Sequence, residues 1–123
     1  MKVYAYEGCS TCRKALSYLK STGREFQLIP IRETPPTKDE LRRMLKLYQG
    51  KVKHLFNTSG QDYRAMGLGA KLPKLTDEQA ITLLSKHGNL VKRPFVLVGN
   101  TGAVGFKEEE WLDKGLRQLP KGL

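Results

Sequence analysis

Lys2-Val3-Tyr4-Ala5-Tyr6-Glu7-Gly8-Cys9-Ser10-Thr11-Cys12-Arg13-Lys14-Ala15-Leu16 is the stretch on which the reading of this chain turns. Its opening residues, aromatic and β-branched, predict a short strand that ends at Gly8. Over residues 11–21 the apolar positions Cys12, Ala15, Leu16 and Leu19 recur at helical spacing, and Gly23 supplies the stop. The chain's two cysteines therefore fall at a strand-to-helix turn. There the first sulfur can face solvent beside helix N-terminal N–H groups that favour its thiolate, while the second lies one turn along, near enough to close a disulfide. A structural disulfide or two packed thiols would fit the same spacing. The position at a helix mouth favours redox chemistry over both. Half a zinc site also reads Cys-x-x-Cys, but His54 and His87 stand far apart without metal-pair spacing, so no metal centre is expected.

Residues 26–31 predict a second strand, and Pro30 places it at an edge or a bend. A β-α-β unit of this length implies a right-handed parallel pair. Thr34-Pro35-Pro36 breaks the chain, and Thr37-Lys38-Asp39-Glu40 has the form of a capping box opening a helix. The inner face of that helix would carry Leu41, Met44, Leu45 and Tyr48, with Gly50 after its end. Short helical pieces follow at 52–56 and 61–66, separated by Asn57-Thr58-Ser59-Gly60. Thr76-Asp77-Glu78-Gln79 is a second capping box, and its helix, with Ala80, Ile81, Leu83 and Leu84 apolar, runs to His87-Gly88. Strand chemistry returns at 94–98 and 103–106 around a turn at Gly99-Asn100-Thr101-Gly102, which predicts a hairpin. Glu108, Glu109 and Glu110 then place acid in the first turn of a last helix with Trp111, Leu112 and Leu116 as its apolar positions. The sum is an α/β chain of order β-α-β, helical insertion over about 35–90, β-β-α. That is the order of the thioredoxin-like fold, expected as a single domain over residues 1–123.

Apolar residues make up 39% of the chain, an ordinary globular share. No run reaches the about 18 apolar residues of a membrane span, and no charged-then-apolar leader opens the chain, so a cytoplasmic protein without a membrane partner is expected. The net charge of +10 favours anionic partners. Its cations are nevertheless spread out, with modest concentrations at Arg42-Arg43, Lys46, Lys51, Lys53 and at Lys92-Arg93. No nucleic-acid-binding motif accompanies them, so direct nucleic-acid binding is not expected.

Three segments together resemble the arsenate reductase and Spx (ArsC-like) family of thioredoxin-fold proteins. They are Cys9-Ser10-Thr11-Cys12-Arg13-Lys14-Ala15-Leu16, then Phe56-Asn57-Thr58-Ser59-Gly60 through Tyr63-Arg64, and Leu90-Val91-Lys92-Arg93-Pro94. The resemblance implies that Cys9 is the nucleophile, that Arg13 and Arg93 lie close to it, and that Pro94 is a cis-proline. Two guanidiniums and a helix N-terminus would lower a thiol's pKa and bind an oxyanion or carboxylates. Departures from the family's arsenate reductases are equally specific. Their His-Asn-Pro-x-Cys lead-in is here Ala5-Tyr6-Glu7-Gly8-Cys9, and two of their three oxyanion arginines become Asn57 and Lys107, which remain as candidate anion contacts. Cys12 stands where those enzymes have serine and would act as a resolving thiol.

The resemblance thus implies a thiol–disulfide oxidoreductase acting on a thiol or disulfide substrate, rather than an arsenate reductase. No cofactor would be bound, and either glutathione with glutaredoxin or a thioredoxin would be the reductant and partner. The alternative it leaves open is an Spx-like redox-sensing regulator that binds the C-terminal domain of the RNA polymerase α subunit. His54 and His87 are read as a helix-surface and a helix C-terminal residue. Tyr6 and Tyr63 are read as packing, and the 57–60 turn as a helix boundary.

Overall fold

The computed structural model describes residues 1–113. Strand β1 (Lys2–Ala5) lies inside a four-stranded sheet of order β2-β1-β3-β4, parallel to β2 (Gln27–Pro30) and antiparallel to β3 (Phe95–Val98). β3 pairs antiparallel with β4 (Thr101–Val104). This is the thioredoxin-like α/β arrangement. β2 takes the edge, where a proline that cannot donate to a ladder is tolerated: Pro30 sits opposite Ala5 as the last paired residue. Both faces of the sheet are covered, and the period-two alternation of a strand sorts the side chains between them.

On one face Val3, Ala5, Val96 and Ala103 pack against Cys12, Ala15 and Leu19 of α1 (Ser10–Ser21) and against Trp111. Trp111 belongs to α6, which is described from Glu108 to Asp113. Its Nε1 donates to the Gly105 carbonyl at 3.1 Å, and its ring meets Phe106 edge-on at 4.8 Å between centroids. Leu116, expected on the same helix, lies outside the described residues.

On the other face Tyr4, Phe95, Leu97 and Val104 meet the insertion, chiefly α2 (Lys38–Leu47) and α5 (Asp77–Lys86). Both helices begin with the expected capping boxes, Thr37 with Glu40 and Thr76 with Gln79, each satisfying two orphan N–H groups reciprocally. The first box does more than the sequence suggests. Glu40 is buried, and besides capping Thr37 it accepts from the Tyr4 hydroxyl at 2.6 Å and from Lys2 Nζ at 3.2 Å, tying α2 to β1. Burial alone would raise the Glu40 pKa, but the Tyr4, Thr37 and Lys2 donors overcome it and hold the carboxyl below its ordinary value.

Between the capped helices the chain runs through a 3-10 turn (Val52–Leu55), α3 (Gln61–Ala65), α4 (Leu68–Lys71) and a second 3-10 turn (Leu72–Lys74). The pieces read at 52–56 and 61–66 are thus present, whereas α4 carried no sequence signal. A third 3-10 turn (Gly88–Leu90) follows α5. Here a glycine is required, because a Cβ on Gly88 would stand 1.8 Å from the Ile31 carbonyl oxygen where the insertion closes on the end of β2. An isolated antiparallel bridge joins Phe56 to Val91, flanked by Asn57 N–H to Leu90 O at 2.7 Å and Lys92 N–H to Leu55 O at 2.8 Å. This bridge sets Asn57 beside the segment that leads into β3.

The hairpin corrects the sequence reading. Its turn is the two residues Gly99 and Asn100, with Gly99 at φ +54°, so Thr101 already pairs with Val98 and Gly102 with Leu97. A two-residue turn with positive φ suits the twist of the flanking strands, and it starts β4 two residues earlier than expected. Among the described residues no helix is long and apolar enough to cross a membrane.

Candidate active site

Cys9 is the N-cap of α1, with extended backbone (φ −92°, ψ 124°) and no side-chain capping bond. Its N–H donates to Tyr6 O and its carbonyl accepts from Arg13 N–H, both at 3.0 Å, which leaves the thiol at the open N–H groups of the first turn. Burial would push this thiol up. The Cys12 N–H, the Cys12 thiol, the Arg93 guanidinium and the Thr11 N–H outweigh it and hold the Cys9 pKa below the ordinary thiol value.

Cys12 behaves oppositely. It is fully buried, and that burial pushes its thiol up to about 11 despite the Tyr6 N–H that meets its Sγ at 3.5 Å, with the neighbouring Cys9 charge adding to the rise. Both cysteines are free thiols. Ionisation of the pair is thus favoured at Cys9 over Cys12.

Two guanidiniums are expected near Cys9. Arg13 Nη1 donates to the Glu7 carbonyl at 3.1 Å, and Arg13 is not among the residues lining the Cys9 cavity. Its bond fastens the turn before the cysteine. Arg93 takes the charged position beside the sulfur, immediately before a cis peptide to Pro94. Its Cζ also lies 5.3 Å from the Tyr6 ring centroid, and its Nη1 is buried without a hydrogen-bond partner among the described residues. Tyr6 packs against the core as expected and also presents its ring to the Arg93 guanidinium.

The cavity that holds Cys9 measures about 520 Å³. Asn57, Arg93 and Lys107 all line it, so three side chains drawn from distant parts of the sequence share a cavity with the nucleophile. The 57–60 turn is also the helix boundary expected, since Gly60 is the N-cap of α3. Tyr63 is buried against Phe56, as packing. His87 is the C-cap of α5.

The same cavity is lined by residues that the sequence did not assign to a site. Tyr48, expected on the inner face of α2, is its half-buried C-cap. Its hydroxyl donates to Glu110 and accepts the Val104 N–H at 3.0 Å. Burial, with the Glu110 carboxylate beside it, raises the Tyr48 pKa. His54, read as a helix-surface residue, lines the cavity with its ring 5.6 Å from that of Tyr48. The nucleophile thus opens into a cavity whose lining includes both cations and a phenol–carboxylate pair. Among the described residues no group of three or more His, Cys, Asp or Glu is placed to hold a metal ion.

A thioredoxin-like sheet whose first helix begins at a Cys-x-x-Cys pair, with a cis-proline before its third strand, defines a thioredoxin-like thiol protein. The ArsC family pattern matches residues 4–114, and the chain belongs to that family. Uncharacterized protein YusI of Bacillus subtilis (strain 168) is 40% identical over 108 residues, covering 88% of this chain and 92% of its own. The arsenate reductase of Escherichia coli (strain K12) is 32% identical over 95 residues, which are 77% of this chain and 66% of the enzyme. The chain therefore spans about two thirds of that enzyme's length. Among solved structures, an ArsC-family-related protein from Bacteroides fragilis superposes with a TM-score of 0.85 at 41% identity, covering 91% of this chain and 94% of the other. The relatives also include a global transcriptional regulator, Spx, of Streptococcus mutans.

Proposed function

We propose that this protein is a thiol–disulfide oxidoreductase in which Cys9 attacks and Cys12 resolves. The observation that carries the reading is the opposite displacement of the two thiols, with Cys9 favoured as thiolate and Cys12 held protonated. The Cys9 thiolate attacks one sulfur of a substrate disulfide, forming a mixed disulfide and releasing the other half as a thiolate. Cys12 then gives up its proton and attacks the Cys9 sulfur. This closes the Cys9–Cys12 disulfide and releases the second thiol, so two electrons pass from the dithiol to the substrate. A cellular thiol reductant, glutathione with glutaredoxin or a thioredoxin, returns the two electrons.

Arg93 stabilises the attacking thiolate, and Lys107 and Asn57 supply further polar contacts for an anionic substrate. Arsenate is a poor candidate. Each charge-assisted bond lost with an arginine is worth roughly 1.5–3 kcal/mol, and Asn57 and Lys107 replace two of the three arginines the resemblance calls for. Ala5 likewise removes the histidine of the lead-in.

The test is to trap the intermediate. Cys12→Ser should accumulate a mixed disulfide on Cys9, and the intact protein should catalyse reduction of small disulfides with a potential between roughly −180 and −270 mV. Saturable arsenate reduction with glutathione and glutaredoxin would overturn the exclusion of arsenate. The family's Spx regulator supports a second reading, in which the same dithiol is a switch that governs binding to the C-terminal domain of the polymerase α subunit. Binding to that isolated domain that tightens on oxidation, with no catalytic exchange, would establish the switch in place of the enzyme.

A further inference from the structure

A second cavity, of about 210 Å³, shares Asn57 and Arg93 with the first but does not include Cys9. Tyr6, Arg32, Asn89 and Asp62 also line it. Two guanidiniums converge on the Tyr6 ring, Arg32 with its Cζ 4.6 Å from the centroid and Arg93 at 5.3 Å. A tyrosine face attracts a guanidinium without engaging its in-plane N–H donors. One of those donors, Arg93 Nη1, is buried with no partner among the described residues, an exception to the rule that buried polar groups are paired. Asn57 and Asn89 add amide donors, and Asp62 is the opposing carboxylate on the lining.

We propose that this cavity binds a small anionic oxygen group, a carboxylate or a tetrahedral oxyanion, between Arg32 and Arg93, and that its occupancy slows the reaction of Cys9. Planar guanidinium forks match the oxygens of such a group. The link to Cys9 is Arg93, which lines both cavities. An anion held there competes with the Cys9 thiolate for one positive charge. By linkage, the reverse holds: once Cys9 is capped or in a disulfide, the anion binds more tightly. The inference needs a reactive Cys9 thiolate and does not depend on what Cys9 attacks.

The experiment follows alkylation of Cys12→Ser, in which Cys9 is the single cysteine, by neutral iodoacetamide at fixed pH and ionic strength, with chloride replaced by sulfate or by acetate. The expected result is a saturable slowing by roughly five-fold, the lower end of what coupled sites show. Sulfate and acetate separate a tetrahedral from a planar preference. Arg32→Gln should abolish the slowing, Asp62→Asn should shift it to lower anion concentration, and Lys107→Gln should leave it in place. In amide NMR spectra the anion should shift Arg32 and Asn89. Rates that do not saturate with either salt would overturn the proposal. So would slowing that survives Arg32→Gln or disappears with Lys107→Gln, or shifts confined to Thr11 and Lys107, since these place the anion in the Cys9 cavity.

Discussion

On one face of the sheet α1 and α6 bury mostly small side chains and one large ring, Cys12, Ala15 and Leu19 with Trp111 over Val3, Ala5, Val96 and Ala103. On the other, the insertion buries a larger cluster that includes Leu41, Met44, Phe56, Ile81, Leu84 and Phe95. The first face carries both sulfurs. Burial of Cys12 beneath this face keeps its proton on. The second face carries no thiol, yet it delivers Tyr48, His54 and Asn57 to the cavity where Cys9 opens. The nucleophile thus comes from the thioredoxin-like half, and much of its surroundings from the insertion.

The largest expected effect removes the nucleophile itself. Cys9→Ser should lower exchange activity by at least roughly three orders of magnitude, as loss of a covalent catalyst does elsewhere, while the protein still folds. Activity that survives in Cys9→Ser and is lost in Cys12→Ser would reverse the assignment of the two roles.

Core truncations on the insertion face probe whether that half acts on the sulfur. Phe56→Ala should cost about 3–5 kcal/mol and Leu84→Ala about 2–5 kcal/mol in denaturant unfolding. Only Phe56 lies in the bridge to Val91, two residues before Arg93. Phe56→Ala should therefore also slow Cys9 alkylation in the folded protein, and Leu84→Ala should not. Equal alkylation rates in the two variants would make the insertion a mere scaffold.

Next comes the choice between guanidiniums. Arg93→Gln should move the alkylation inflection of Cys9 up towards the free-thiol value of about 8.5, and Arg13→Gln should move it less. The two thiols also bend stability in opposite senses. The lowered Cys9 pKa contributes stability that is present above the unfolded value and lost as pH falls through the folded one. For Cys12 the raised pKa means that the unfolded chain ionises first, so stability declines from about pH 8.5 towards the folded value of about 11. Urea midpoints against pH should show that alkaline decline in the intact protein and its reduction in Cys12→Ala. The smallest effect is expected at Arg42, which meets Glu78 and Asp39 at 2.9 Å on the exposed side of α2 and α5. Arg42→Ala should leave the unfolding midpoint within measurement scatter.

Much of the architecture was legible because its signals are local. A capping box spans four residues, a strand alternates at period two, and Pro30 marks an edge by lacking a donor. Where the reading failed, the deciding contact was remote or the signal degenerate. Gly99-Asn100-Thr101-Gly102 could place its turn at either end, and the pairing of Val98 with Thr101 decided it. α4 is a single turn between glycines and lysines with no periodicity to detect.

The sequence by itself determined the order of the strands, both capped helices and the placing of two cysteines at the start of α1, because each follows from spacing within a turn or two of chain. Only the tertiary structure decided that Arg93 shares a cavity with Cys9, that Tyr48 meets Glu110 across 62 residues and Tyr4 meets Glu40 across 36, and that Arg32 and Arg93 share one tyrosine ring. Those contacts are made when the insertion packs on the sheet, and no local pattern encodes which distant side chains that packing brings together.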